Sequence, residues 1–492
     1  MNFTWSDASY YLPEAVILFA AFGAIITDLV FKGRANHGFV LAKVIGGLLI
    51  AGTLCIMRPP VGEHMIFGQM MVVDSLSHFF RLMFIGITLV AVLFSYSSRE
   101  IMGRDRENKG EYYALLMFLC FGMMAMASAV DLVMLMLSIE LVSLTSYILA
   151  GYARYSLRSS EAAMKYVLWG AVSSGLMLFG MSILYGLTGA TGYAEIGAAL
   201  RDSTGNELAL LVSVLFIMAG IGYKISAVPF HFWTPDVYEG APTPVTAMFA
   251  AGPKAAGFAL MIRFFYTVFV TEGLVALEWI QWPWILAILA AVTMTWGNLA
   301  AMKQENVKRL LAYSSIAHVG YLLMGFVLLS VSGLQAILFY LIIYAIMTLG
   351  SFLIVIALNN RLPSEDLSGY RGLGFREPLI GVAMFIFLIS LVGLPPTAGF
   401  VAKLYLFTAV IEAGMWWLAL IAVLNSVISL YYYMRIIRAM YFEKGPEGAG
   451  GLGLARMHLA LIILLVVPTI VFGLAWGPVK EFADKGMGVL VG

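Results

Sequence analysis

Apolar runs of about 20 residues, separated by short polar turns, make up nearly the whole chain. A bilayer-spanning helix needs about 20 such residues, whereas a membrane β-strand alternates over about 10. The pattern predicts an all-α polytopic membrane protein with about 14 transmembrane helices. They are numbered 1 to 14 and fall at 10–31, 38–56, 74–96, 112–129, 131–153, 163–187, 207–228, 243–271, 284–302, 308–329, 334–358, 377–411, 416–434 and 457–476. No polar interruption is long enough for a soluble domain, so residues 1–492 read as one transmembrane domain. The N-terminal MNFTWSDASYY lacks the basic region of a cleavable signal peptide, and helix 1 is expected to stay in the mature chain.

Two segments cannot be continuous helix. The stretch 377–411 would be about 52 Å long at ~1.5 Å per residue, too long for one ordinary span. Pro395 and Pro396 in GLPPTAGF interrupt it, because proline removes a backbone donor and clashes with the preceding turn. After helix 7, Pro229, Pro235, Pro242 and Pro244 do the same within PFHFWTPDVYEGAPTP, which is too aromatic for a freely solvated loop. Irregular backbone at membrane depth survives only where it is buried in protein or lines a wet cavity. Paired interruptions in two halves of a chain mark repeat-built transporters. A weaker likeness, EAAMKYVLWGAVSS from Glu161 beside ENVKRLLAYSSIAH from Glu305, points the same way. Helices 4–8 (112–271) and 9–13 (284–434) are read as related units.

Composition agrees: 61% of residues are hydrophobic, 12% are charged and mean hydropathy is +0.92. Net charge is +1, which leaves no footprint for nucleic acid. Cys55 and Cys120 lie far apart in apolar runs, so no iron–sulfur, zinc or haem-attachment pattern exists. The glycines of GAGGLGLA follow no strand and read as a loop, not a dinucleotide fingerprint. Most of the 29 lysines and arginines fall in loops after odd-numbered helices, and the opposite loops hold only Arg58, Arg201, Lys480 and Lys485. By the positive-inside rule both termini are expected to face away from the cytoplasm.

The candidate chemistry is the set of ionisable groups inside the apolar runs. An ion at mid-bilayer costs about 2.5–3.5 kcal/mol, so such groups face a wet interior and have partners. Glu140 lies in helix 5, Lys224 just before the first break, Lys254 deep in helix 8 beside Pro253, and Lys403 just after the second break. His231 sits within the first break and His318 on helix 10. Lys165 follows Glu161 by one turn, a spacing that suits an ordinary ion pair as well as a proton site. His318 can equally be a satisfied core residue. Lys43 and Arg81 are expected to snorkel or cap. Lysines and glutamates buried near one another can exchange protons as neighbouring charges come and go, and water between them completes a path.

Three stretches, FHFWTPDVYEGAPTPVTA, GNLAAMKQENVKRLLAYSSIAHVGY and GLPPTAGFVAKLYLF, resemble the antiporter-like membrane subunits of respiratory complex I. The likeness runs from about helix 2 to helix 14. It implies two inverted five-helix repeats with discontinuous helices 7 and 12. It also implies that Glu140 and Lys224 pair, that Lys254 lies on a central hydrophilic axis, and that Lys403 stands near the outer half-channel. One sister subunit typically has glutamate where this chain has Lys403, and another has a long C-terminal extension that this sequence lacks. The resemblance implies proton translocation with no cofactor in this chain. NADH, FMN, iron–sulfur clusters and quinone belong to other subunits of the complex, and the partners are homologous and small membrane subunits within the bilayer. The alternative is a subunit of a multisubunit cation/proton antiporter without electron transfer. A scaffold with vestigial lysines is a third reading.

Overall fold

The computed structural model describes residues 9–31, 34–102, 109–202, 207–270, 282–362, 364–445, 453 and 456–488. The end of the first repeat at 271 and all of the glycine-rich loop except Gly453 lie outside them.

Long helices dominate, as the apolar runs require, because a helix satisfies its own backbone polar groups without water. They are helix 1 (Leu12–Val30), 2 (Arg34–Met57), 3 (Ser75–Ser97), 4 (Gly110–Ser128), 5 (Leu132–Ala150), 6 (Leu157–Thr188) and 7 (Glu207–Ile225) in the first half. After them come helix 8 (Thr243–Phe265), 9 (Trp282–Ala301), 10 (Val307–Phe326), 11 (Val331–Asn359), 13 (Trp416–Phe442) and 14 (Arg456–Leu474). Helix 12 is split into Pro378–Val392 and Ala398–Glu412, as its length and prolines required. Twelve helices are long and apolar enough to span unaided among the described residues. Helix 10 is not among them, since it carries Lys308, Arg309, Ser314, Ser315 and His318. The protein is a multi-pass membrane protein.

Local chemistry sets the helix starts. Asp74 caps helix 3 by accepting from the Ser77 amide at 2.8 Å, and Ser77 Oγ accepts in return from the Asp74 amide at 2.9 Å. Asp131, Asn306 and Ser330 cap helices 5, 10 and 11 in the same manner. Prolines open helices 1, 8 and the first half of 12, where a missing donor costs nothing. Among the described residues the sequence pattern misses several small elements. Four of them are an antiparallel hairpin (His64–Ile66 with Met71–Val73) and short helices Tyr193–Asp202, Leu373–Arg376 and Gly477–Lys485. Each is too short to show in a pattern of spans.

Helix 8 is entirely buried along its apolar window and helix 11 is 89% buried, whereas helices 1, 2 and 6 are 33% buried and helix 14 is 28% buried. Helices 8, 10 and 11 therefore form a centre shielded from lipid. Close backbone approach helps to build it. A Cβ on Gly320 of helix 10 would stand 2.4 Å from the Met294 amide nitrogen of helix 9.

Two buried arginines tie the N-terminal helices together. Arg263 of helix 8 makes a two-pronged ion pair with Asp74, at 2.8 and 2.7 Å, and also donates to the Ala127 carbonyl at 2.7 Å. Arg81 turns inward to Glu14 at 2.6 Å and does not snorkel, because a buried carboxylate waits for it on helix 1. Lys43 donates to the Thr27 hydroxyl at 2.5 Å.

Asp74→Ala strands the Arg263 charge in the core and should destabilise the protein by about 3–5 kcal/mol. Asp484→Ala, which removes only the half-exposed pair with Lys480, should cost under about 1 kcal/mol. Thermal unfolding of both variants in the same detergent checks this, and equal losses would show that the buried pair is not a staple.

Candidate functional site

Both helix breaks place a lysine ammonium at the carboxyl end of a half-helix. Helix 7 stops at Ile225 when Ser226 enters the left-handed region at φ 67, and the chain resumes as a short helix, Trp233–Gly240. Lys224 lies in the last turn before that stop. The first half of helix 12 stops at Gly393 with φ 87, a conformation glycine adopts freely, and the second half begins at Ala398. Lys403 reaches back across the gap and donates to the Val392 carbonyl at 2.8 Å. The last carbonyls of a helix lack intrahelical partners and carry its negative dipole end, and Lys403 meets that partial negative charge at Val392.

The lysines are buried and are hydrogen-bonded by hydroxyls. Lys224 Nζ donates to Ser143 Oγ at 3.1 Å, Lys254 Nζ to Ser315 Oγ at 2.6 Å, and Lys403 Nζ to Ser426 Oγ at 3.0 Å. Tyr238 lies under the Lys254 ammonium at 5.5 Å and Tyr321 under that of Lys403 at 4.3 Å. None of the three makes an ion pair among the described residues.

The implied pairing of Glu140 with Lys224 is indirect. Ser143, one turn beyond Glu140, takes the lysine's hydrogen bond, and Glu140 Oε1 is buried with no hydrogen-bond partner.

His318 joins the axis. Its Nδ1 meets Tyr340 OH at 2.6 Å and its Nε2 meets Tyr433 OH at 3.4 Å, while Tyr433 also hydrogen-bonds Ser314. From there polar side chains continue toward Lys403. Tyr432 donates to Asn298 at 3.0 Å, Asn298 reaches Tyr321 at 3.4 Å, and Ser426 reaches Tyr321 at 3.4 Å. Sequence reasoning misses these hydroxyls. Spacing holds a hint, since Ser143 follows Glu140 by three and Ser315 precedes His318 by three, on shared helix faces. The tyrosines give no such signal among 24 in the chain.

His231 is buried inside the first break with Nδ1 unpartnered, and no hydrogen bond links it to the lysines. Lys165 stands apart, half-exposed, paired with both Glu161 and Asp236 at 2.7 Å. Arg309 of helix 10 takes the other oxygen of Asp236 at 2.6 Å and Glu239 at 3.0 Å. These groups line a charged cleft of about 260 Å³. The likeness between the Glu161 and Glu305 segments thus lies on helices 6 and 10, which a pairing of 4–8 with 9–13 does not superpose. The two segments share a counter-ion, Asp236, and lend no weight to the repeat. Among the described residues no three of His, Cys, Asp and Glu converge as a metal site.

The buried hydroxyls that receive the lysine ammonium groups should matter to stability. Ser143→Ala and Ser315→Ala each leave a buried donor unmatched and should cost about 1–3 kcal/mol. Ser182→Ala, whose exposed hydroxyl bonds only its own helix, should change little. Thermal midpoints of the three variants in one detergent decide it.

Comparison with known proteins finds similar chains elsewhere. A profile of the family described as "NADH:quinone oxidoreductase/Mrp antiporter, TM" matches residues 129–429. NADH-quinone oxidoreductase subunit N 2 of Chloroherpeton thalassium is 42% identical over 492 residues, covering 99% of this chain and 95% of that protein. Among solved structures, a chain of respiratory complex I from Thermus thermophilus is 30% identical, with a TM-score of 0.78 over 96% of this chain and 99% of that one. A chain of the Mrp complex from Dietzia sp. has a TM-score of 0.84 over 98% and 97%, at 23% identity, and shares the fold.

Proposed function

Because the chain belongs to the NADH:quinone oxidoreductase/Mrp antiporter transmembrane family, we propose that it is a proton-translocating membrane subunit of an NADH-quinone oxidoreductase. The single observation that carries the mechanism is the set of buried groups Glu140, Lys224, Lys254, His318 and Lys403, whose lysines meet hydroxyls and carbonyls rather than carboxylates. Lysine can exist without its proton and arginine cannot, so these positions suit exchange rather than fixed pairing. A charge arriving beside Glu140 changes the balance at Lys224, and the disturbance passes inward through serine and tyrosine hydroxyls and intervening water.

In this reading the subunit is non-redox. NADH, FMN, iron–sulfur clusters and quinone lie in other subunits, and homologous antiporter-like and small membrane subunits are the partners. Helices 4–8 and 9–13 form two repeats, each with its broken helix in fourth place and a lysine beside the break. Lys165 and His231, off the hydrogen-bonded axis, have peripheral roles. The protein sits in the bacterial inner membrane with both termini on the non-cytoplasmic side. The antiporter alternative rests on the Mrp likeness, which is one of fold. The full-length relative at 42% identity favours the quinone enzyme.

If Glu140 and Lys224 titrate as a pair, their substitutions are not additive. Glu140→Gln and Lys224→Ala should each depress quinone reduction and pumping together, and the double variant should be little worse than the worse single one. NADH-driven quinone reduction and proton gradient, measured in vesicles with matched complex levels, test this. Losses that multiply independently, or single variants that pump normally, would sink the mechanism.

At the second break, Lys403→Ala removes the exchanging group whereas Lys403→Glu restores one of opposite charge. Pumping by the same vesicles should be impaired by alanine and partly retained with glutamate. Equal loss at normal assembly would mean that the positive charge on the Val392 carbonyl matters, not proton exchange.

A further inference from the structure

At the end of the helix bundle where helix 1 begins, helix 2 ends and helix 3 begins, a cleft of about 240 Å³ takes no part in the lysine axis. Its wall carries three nitrogen bases, Arg58, His78 and Arg81, beside apolar Pro13, Leu54 and Cys55. This is the side on which the loops hold only three other basic residues, Arg201, Lys480 and Lys485, so the grouping is not a sample of a generally basic surface.

The guanidinium of Arg81 is 3% exposed and only partly used. Glu14 Oε1 accepts from its Nε edge at 2.6 Å, and Nη2 is buried with no hydrogen-bond partner among the described residues. A buried donor without an acceptor is uncommon in folded proteins and calls for an unseen partner. Arg58 is exposed at the cleft and makes no ion pair among the described residues. Glu14 is itself fully buried, with Oε2 unpartnered, and is not part of the cleft wall. It fixes one edge of the guanidinium and leaves the terminal edge for another acceptor.

We propose that this cleft binds the phosphodiester headgroup of an anionic phospholipid. The planar guanidinium fork matches phosphate oxygens. Interfacial basic pockets between spanning helices suit anionic headgroups. The cleft's place at the helix ends puts a phosphate at headgroup depth, and the outward-facing apolar side chains of Leu49, Ile50, Ile56 and Met57 on helix 2 offer a surface for acyl chains. The same oxygens could come from free inorganic phosphate, and the apolar wall favours the lipid.

The test uses the chain with whatever subunits co-purify with it in a mild detergent. Native mass spectrometry follows binding of dioleoyl phosphatidylglycerol and dioleoyl phosphatidylcholine. Thermal midpoints track stabilisation by each lipid and by about 10 mM inorganic phosphate, since a ligand bound to the native state raises the midpoint. The expected result is preferred retention of and stabilisation by phosphatidylglycerol, weakened about fivefold by Arg58→Gln. Arg81→Gln alone would leave Glu14 unpaired, so it is combined with Glu14→Gln, and the pair should abolish the preference, read as each lipid's shift from that variant's own basal midpoint. Three outcomes overturn the proposal: equal retention of the two lipids by the wild type, phosphatidylglycerol binding that survives both Arg58→Gln and the double variant, or stabilisation by inorganic phosphate that matches the lipid's.

Discussion

Hydrocarbon offers no hydrogen bonds, so a helix broken inside a membrane must satisfy its freed carbonyls from within the protein. The rest of this structure is arranged around that constraint. Val392, the last residue of the first half of helix 12, has its carbonyl filled by the Lys403 ammonium. The break after Ile225 is packed by its own side chains: Thr234 donates to Ser226 Oγ at 2.8 Å, and Trp233 Nε1 donates to the Tyr223 carbonyl at 3.0 Å. Each break thus supplies a polar place at depth and a lysine to occupy it. A continuous helix would supply neither.

Apart from Lys308, a buried lysine that pairs with Glu365 at 3.2 Å, the buried cations among the described residues divide by chemistry. Arg81 and Arg263 keep their charge under all conditions, and each is matched by a carboxylate, Glu14 or Asp74, in a fixed geometry. Those pairs hold helices 1, 3 and 8 in place. Lys224, Lys254 and Lys403 are matched by hydroxyls and carbonyls instead. A fixed counter-ion would hold a proton in place, whereas a hydroxyl can both donate and accept, so a lysine beside one can pass its proton on. All three are buried, Lys224 at the end of helix 7, Lys254 on helix 8 and Lys403 on the second half of helix 12, which lets water and side chains alone decide where the charge rests.

Much of this is legible in the chain. Length and apolarity locate the helices to within a few residues at most ends, and the prolines at 395 and 396 locate a break that spans 393–397. The apolar pattern predicts a start at 163 for helix 6, which instead starts at Leu157, because Ser156 caps a polar first turn that hydropathy cannot see. Helix 13 runs on to Phe442 for a similar reason, its basic end lying outside the apolar window. The lysines stand out because a cation in an apolar run is conspicuous whatever surrounds it.

Solvation alone accounts for every feature that can be read without a structure. A run of apolar residues must span, a proline must break it, and a charge within it must find polar company. Which company it finds is decided only when the helices pack. Arg81 and Glu14 are 67 residues apart, Arg263 and Asp74 are 189 apart, and Lys254 and Ser315 are 61 apart. No periodicity connects such positions, because helices pack through side-chain shape and close backbone approach rather than through spacing along the chain. The serine that takes the Lys224 hydrogen bond, the shared counter-ion at Asp236 and the tyrosines about His318 exist only once several helices have met.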